Sequence, residues 1–94
     1  MANTTFNIAG IVTDKNGSEI PGANIYFISA PVAMPDISIL TDNKGRFVLS
    51  VPVEGKYVLG VNADGYESTE IKSEVVKNKV INLNIRLWTG LWIR

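Results

Sequence analysis

The sequence predicts an all-β sandwich or barrel of six or seven short strands. Apolar residues recur at every second position in several windows, and turn dipeptides carrying Gly or Pro separate those windows at intervals of about eight to twelve residues. No window of useful length shows helical periodicity. A chain of 94 residues is one domain, able to bury roughly 60–65% of the surface its unfolded form exposes. Its 46% hydrophobic and 19% charged content belongs to a globular domain and not to a disordered segment.

Near the N-terminus, "TFNIAGIVT" places Phe6, Ile8, Gly10 and Val12 on one face, and "ANIYFIS" does the same with Ala23, Ile25 and Phe27. The opposite faces of these two strands are also apolar at Ile11, Tyr26 and Ile28, so they are expected either to be covered or to meet a partner. A weaker strand is expected in "ISILT". In "RFVLSV", Phe47, Leu49 and Val51 share a face, as do Tyr57, Leu59 and Val61 in "KYVLGV". "YESTEI" is a short strand candidate, although the overlapping stretch "ESTEIKSEVVKN" also admits a turn or two of helix. The clearest alternation is "VINLNIRLW", with Ile81, Leu83, Ile85 and Leu87 against Asn82, Asn84 and Arg86. The expected core is Phe6, Ile8, Val12, Ile25, Phe27, Phe47, Leu49, Tyr57, Leu59, Val61, Leu83, Ile85 and Leu87.

The segments "TDKNGS" (13–18) and "TDNKGR" (41–46) share the form T-D-x-x-G. Such a segment suits a tight reversal in which Asp accepts from backbone N–H groups further along and Gly takes the positive φ that closes the turn. "PG" at 21–22, "EG" at 54–55 and "DG" at 64–65 are turn dipeptides. The two-proline stretch "SAPVAMPD" (29–36) is expected to be a crossover between sheets, with recognition as its other reading.

Composition excludes several chemistries. Without His or Cys there is no Ser-His or Cys-His nucleophile, no disulfide, and no imidazole or thiolate for a transition metal. The Asp and Asn of the two T-D-x-x-G loops lack the length and the terminal Glu of an EF-hand, and G-x-x-x-x-G at 55–60 lacks the Lys-Ser/Thr of a P-loop. No catalytic residue, cofactor or metal is expected. Nine basic residues balance nine acidic ones without clustering, so no nucleic acid partner is expected. No apolar stretch is long enough to span a bilayer, and the opening "MANTTFNIAG" is not a signal peptide. The last residues, "RLWTGLWIR", crowd Trp88, Leu91, Trp92 and Ile93 together. This tail either covers a face of the sandwich or a second chain, or is the stump of a longer protein, or stacks its Trp rings on sugars.

The ordered pieces "IAGIVTDKNGSEIPGANIYF", "TDNKGRFVLSVPVEGKYVLGVNADGY" and "INLNIRL" resemble the carboxypeptidase regulatory-like domain family, over about residues 6–87. The match rests on Gly10, Asp14, Gly17, Gly22, Ala23, Asp42, Gly45, Phe47, Leu49, Pro52, Gly55, Tyr57, Gly65 and Tyr66. The resemblance implies a seven-stranded Greek-key sandwich of the transthyretin-like (prealbumin-like) kind over residues 1–87, followed by an apolar tail at 88–94. It implies a non-catalytic accessory domain of a larger bacterial exported or cell-envelope protein, placed outside the cytoplasm. The expected partner is a protein or a neighbouring domain, with a homo-oligomer through an edge strand or the tail as one form of it. The expected interaction surface is Ile11, Tyr26, Ile28, Trp88, Leu91 and Trp92. The alternative is a carbohydrate-binding module using Trp88, Trp92 or the 29–36 loop. Related pilus repeats crosslink a first-strand Lys to a last-strand Asn, but residues 5–13 contain no Lys, so no such bond is expected.

Overall fold

A computed structural model describes residues 5–35 and 38–89, which fold into seven strands and no helix. These are β1 (Phe6–Thr13), β2 (Asn24–Ser29), β3 (Ser38–Leu40), β4 (Arg46–Val51), β5 (Gly55–Asn62), β6 (Thr69–Val75) and β7 (Ile81–Arg86). One sheet has the order β4-β1-β7 and the other β3-β2-β5-β6. All pairings are antiparallel except that of β1 with β7, which is parallel and continues past β7 as the Leu87 N–H donates to the Thr13 carbonyl.

Period-two alternation explains the layering. In β4, Phe47, Leu49 and Val51 are buried while Arg46, Val48 and Ser50 are exposed. The inner faces of both sheets meet in one core that includes Ile8, Val12, Ile25, Leu49, Tyr57, Leu59, Val61, Ile85 and Leu87. Phe6, Phe27 and Leu83, expected inside, are partly buried and pack against its margin. Ile20, Ala23, Val51 and Val75 complete the interior.

Two local expectations are corrected. The helical turn allowed within residues 67–78 does not form, because Thr69, Ile71, Ser73 and Val75 sit directly opposite Val61, Leu59, Tyr57 and Gly55 in the β5–β6 ladder. Ladder bonds and a shared inner face outweigh a helix with a single apolar seam. The 29–36 stretch is not a crossover between sheets, since it joins β2 to β3, which are antiparallel neighbours in the same sheet.

The two T-D-x-x-G segments carry the same set of bonds. Asp14 Oδ1 accepts from the N–H groups of Asn16 and Ser18, and Asp42 Oδ1 accepts from those of Lys44 and Arg46. The Gly17 and Gly45 N–H groups donate to the carbonyls of Asp14 and Asp42. The backbone N–H donors from Arg46 and then Lys44 hold the Asp42 carboxyl below its ordinary value of 3.8. Between the folded and unfolded values the folded state binds fewer protons. This contribution is therefore complete above 3.8 and is lost as pH falls through the folded value. Asp42→Asn is expected to flatten part of the acid limb of the stability profile, read as urea midpoints from neutral to acid pH. An unchanged limb would show that the turn carbonyls and not the carboxylate hold the loop. The Arg46 Nε to Asp42 Oδ2 contact at 3.6 Å is exposed and contributes little by itself.

Thr41 binds the turn at 20–23 to the β3–β4 connection. Its buried hydroxyl donates to the Ile20 carbonyl at 2.7 Å and accepts from the Ala23 N–H at 2.8 Å. Tyr57, wholly buried, donates its phenol to the Val53 carbonyl at 2.7 Å, so the largest ring in the core brings no unsatisfied oxygen with it.

Candidate interaction surface

The outer face of the three-stranded sheet is built from the out-of-phase residues of its strands. Ala9 stands opposite Val48, and Ile11 lies between Arg46 on β4 and Asn84 on β7. Ile11 is therefore half-buried by its neighbours, whereas Val48 on the edge strand is 59% exposed. Around this edge runs a groove between β3 and β4, lined by Ile39, Leu40, Phe47 and Val48 with Asp42 and Arg46 at its polar end. Leu40 is 65% exposed, because Ile39, its neighbour in sequence, takes the inward phase opposite Ile25. Neither Leu40 nor Val48 was among the expected surface residues. For Val48 the signal was available, since it alternates with Phe47 and Leu49.

Tyr26 and Ile28 lie on the other sheet, so the structure does not bring them together with Ile11. Tyr26 pairs directly with Gly60, and its ring lies where a side chain on Gly60 would be: a Cβ there would come within 2.3 Å of the Tyr26 Cζ. The ring thus covers backbone that Gly leaves bare. Ile28 is the extra residue of a β-bulge, as Phe27 pairs with Leu59 and Ser29 with Val58, and it is 46% exposed. Beside it the 29–35 segment forms a shallow pocket with Phe27, Ala30, Val32, Met34 and Pro35.

Trp88 is 54% exposed, but its backbone is tied into the fold. Its carbonyl accepts from the Glu67 N–H at 2.8 Å, and Thr89 bridges Tyr66, so pairing extends two residues past the boundary expected at Leu87. Leu91 and Trp92 lie outside the described residues. Among the described residues, no three acidic side chains gather as a group able to hold a metal ion, and no helix is long and apolar enough to cross a membrane.

The fold recurs in solved structures of low sequence identity. The major pilin subunit BcpA of Bacillus cereus superposes with a TM-score of 0.73 at 15% identity, over 89% of this chain and 29% of that one. A chain from a type II cohesin–X-dockerin complex of Acetivibrio cellulolyticus gives 0.66 at 18% identity, over 90% and 58%. The 3-chlorocatechol 1,2-dioxygenase of Rhodococcus opacus gives 0.67 at 16% identity, over 94% and 60%. This chain thus spans less than two thirds of each of these structures. At such identities the likeness is one of fold, a sandwich carried by proteins of unlike activity. No curated protein matches the sequence. The sequence profile of the carboxypeptidase regulatory-like domain matches residues 7–88, most of the chain, and the protein belongs to that family.

Proposed function

We propose that the chain is a non-catalytic protein-docking module, an accessory domain of a larger exported or cell-envelope protein. The observation that carries this is the apolar groove between β3 and β4, where the exposed Leu40 and Val48 meet. The half-buried Ile11 follows on the outer face of the three-stranded sheet, beyond Arg46. Branched aliphatics on two adjacent edge strands are suited to a polypeptide that adds a strand or packs an apolar residue there. The rim is Asp42, Arg46, Ser50 and Asn84, polar groups of the kind that surround an apolar contact. Support for the setting comes from the identities of the similar structures, a pilin subunit and a cohesin–dockerin assembly among them.

The test is photocrosslinking from position 48 in cells that make the protein, followed by mass spectrometry. Adducts to polypeptide that disappear in Leu40→Lys, with unchanged circular dichroism, are expected. The exposed Trp88 ring favours the carbohydrate reading instead. Glycan-array binding abolished by Trp88→Ala, without polypeptide adducts at 48, would replace the docking module by a sugar-binding one.

A further inference from the structure

On the opposite side of the sandwich, β6 is the free edge of the four-stranded sheet. Its seven residues, without Pro or Gly, make it the longest free edge strand in the described fold. A strand hydrogen-bonded on one side presents a row of backbone donors and acceptors to any strand that reaches it. The outer face of β6 reads Glu70, Lys72, Glu74, a strict alternation of charge, and its inner face reads Thr69, Ile71, Ser73, Val75. An alternation of this kind discriminates among registers, because directly opposed side chains attract or repel according to sign.

We propose that β6 pairs with β6 of a second copy of this chain, antiparallel about a two-fold axis at Ser73. In that register Lys72 of each copy faces Glu74 of the other, and Ile71 of each faces Val75 of the other. Ser73 meets Ser73 at the axis. Glu74 is then flanked by Lys72 of the second copy and by Lys56, its own partner on β5. A shift that places the axis at Lys72 opposes Lys72 to Lys72 and Glu70 to Glu74 twice, so every outer-face pair repels. A parallel in-register pairing opposes like charges throughout. Registers shifted by an odd number of residues put Ile71 and Val75 on the charged face.

The other free edges offer less. β3 has three residues, the outer face of β4 carries Arg46, Val48 and Ser50, and that of β7 carries Asn82, Asn84 and Arg86, neither with opposite charges to pair. The contact at β6 is isologous and closes as a dimer. The four strands of each copy join in one continuous eight-stranded sheet. It leaves the β3–β4 groove open, so the dimer and the docking strip stand or fall separately.

The experiment is sedimentation velocity over a concentration series at low salt, on the wild type and on Lys72→Glu and Glu74→Lys. Both residues are exposed, and circular dichroism checks that the variants fold. The wild type is expected to dimerise, and each single variant to raise the dimer Kd by about tenfold or more. An equimolar mixture of the two variants is expected to dimerise again, because positions 72 and 74 are both acidic in one chain and face positions 74 and 72, both basic, in the other. The double exchange K72E/E74K is expected to recover the wild-type Kd. A wild type that remains monomeric across the series would overturn the proposal. So would a dimer insensitive to Lys72→Glu. Loss in Lys72→Glu with no effect of Glu74→Lys would move the axis to Ile71, where Glu70 faces Lys72, and would overturn the register proposed.

Discussion

Phe47→Ala is expected to lower the unfolding free energy by about 3–5 kcal/mol, a large part of the roughly 5–15 kcal/mol that holds a domain together. Phe47 is 4% exposed and points from edge strand β4 into the core, where its ring lies against Gly10 of β1, the residue directly opposite it. A Cβ on Gly10 would come within 2.6 Å of the Phe47 Cζ and 2.9 Å of the Leu83 carbonyl oxygen. The ring therefore occupies the volume that the absent Gly10 side chain leaves, and truncating it opens a cavity across β1 and not only at its own position. The two sites should be coupled. Gly10→Ala destabilises the wild type by forcing the ring aside, but part of that penalty vanishes once the ring is gone. The double variant should thus be more stable than the sum of the two single losses by about 0.5–3 kcal/mol. Urea melts of the four proteins measure both quantities. A loss below about 1 kcal/mol in Phe47→Ala, or strict additivity, would mean that the ring does not fill the inner face of Gly10.

How much of this was legible beforehand depends on the strand. β4 and β7 announced themselves, because their inward residues are all large and apolar and their neighbours mostly polar, and β5 did so through Tyr57, Leu59 and Val61 on one face. β6 did not. Ser73 is buried at 6% exposure, so a polar residue occupies the middle of its inner face, and the visible apolar pair Ile71 and Val75 has the spacing of a helix as well as of a strand. Only pairing with β5, a long-range event, decides between them. β3 is three residues long, so its placement beside β2 rests on ladder bonds at Asn24, Ile25 and Tyr26 that no local pattern encodes.

The candidate surface was legible in part for the same reason. Ile11, Tyr26 and Ile28 could be recognised as apolar residues in the outward phase. That they belong to different sheets follows from the order of strands, which alternation does not specify. Leu40 and Val48 became a single strip only because β3 and β4, from different sheets, lie side by side at one edge of the sandwich. Likewise, the charges at Glu70, Lys72 and Glu74 carry register information only where their strand is an edge.

Gly45→Ala should be nearly as damaging as truncating the core, although it adds one methyl group and removes nothing. Gly45 has φ of +72° and is buried at the end of the second T-D-x-x-G turn. A side chain in the left-handed region costs about 1–2 kcal/mol by its own sterics. Here a Cβ would also approach the Val12 carbonyl oxygen to 2.6 Å and the Ile20 nitrogen to 3.1 Å, both of them backbone. Those atoms cannot move independently, because Val12 donates to the Gly45 carbonyl at 2.8 Å and accepts from the Ile20 N–H at 2.9 Å. Relieving the collision breaks at least one of these bonds, each worth about 0.5–1.5 kcal/mol net. The expected loss is about 2–4 kcal/mol. Gly17 provides the control: it closes the twin turn with φ of +86°, but its Cβ would meet nothing within 4 Å. Gly17→Ala should therefore cost only the left-handed penalty, about 1–2 kcal/mol. The same denaturant melts compare them. Equal losses at the two glycines would show that backbone conformation alone sets the cost, and that the β1–β4 junction yields where the geometry says it is closed.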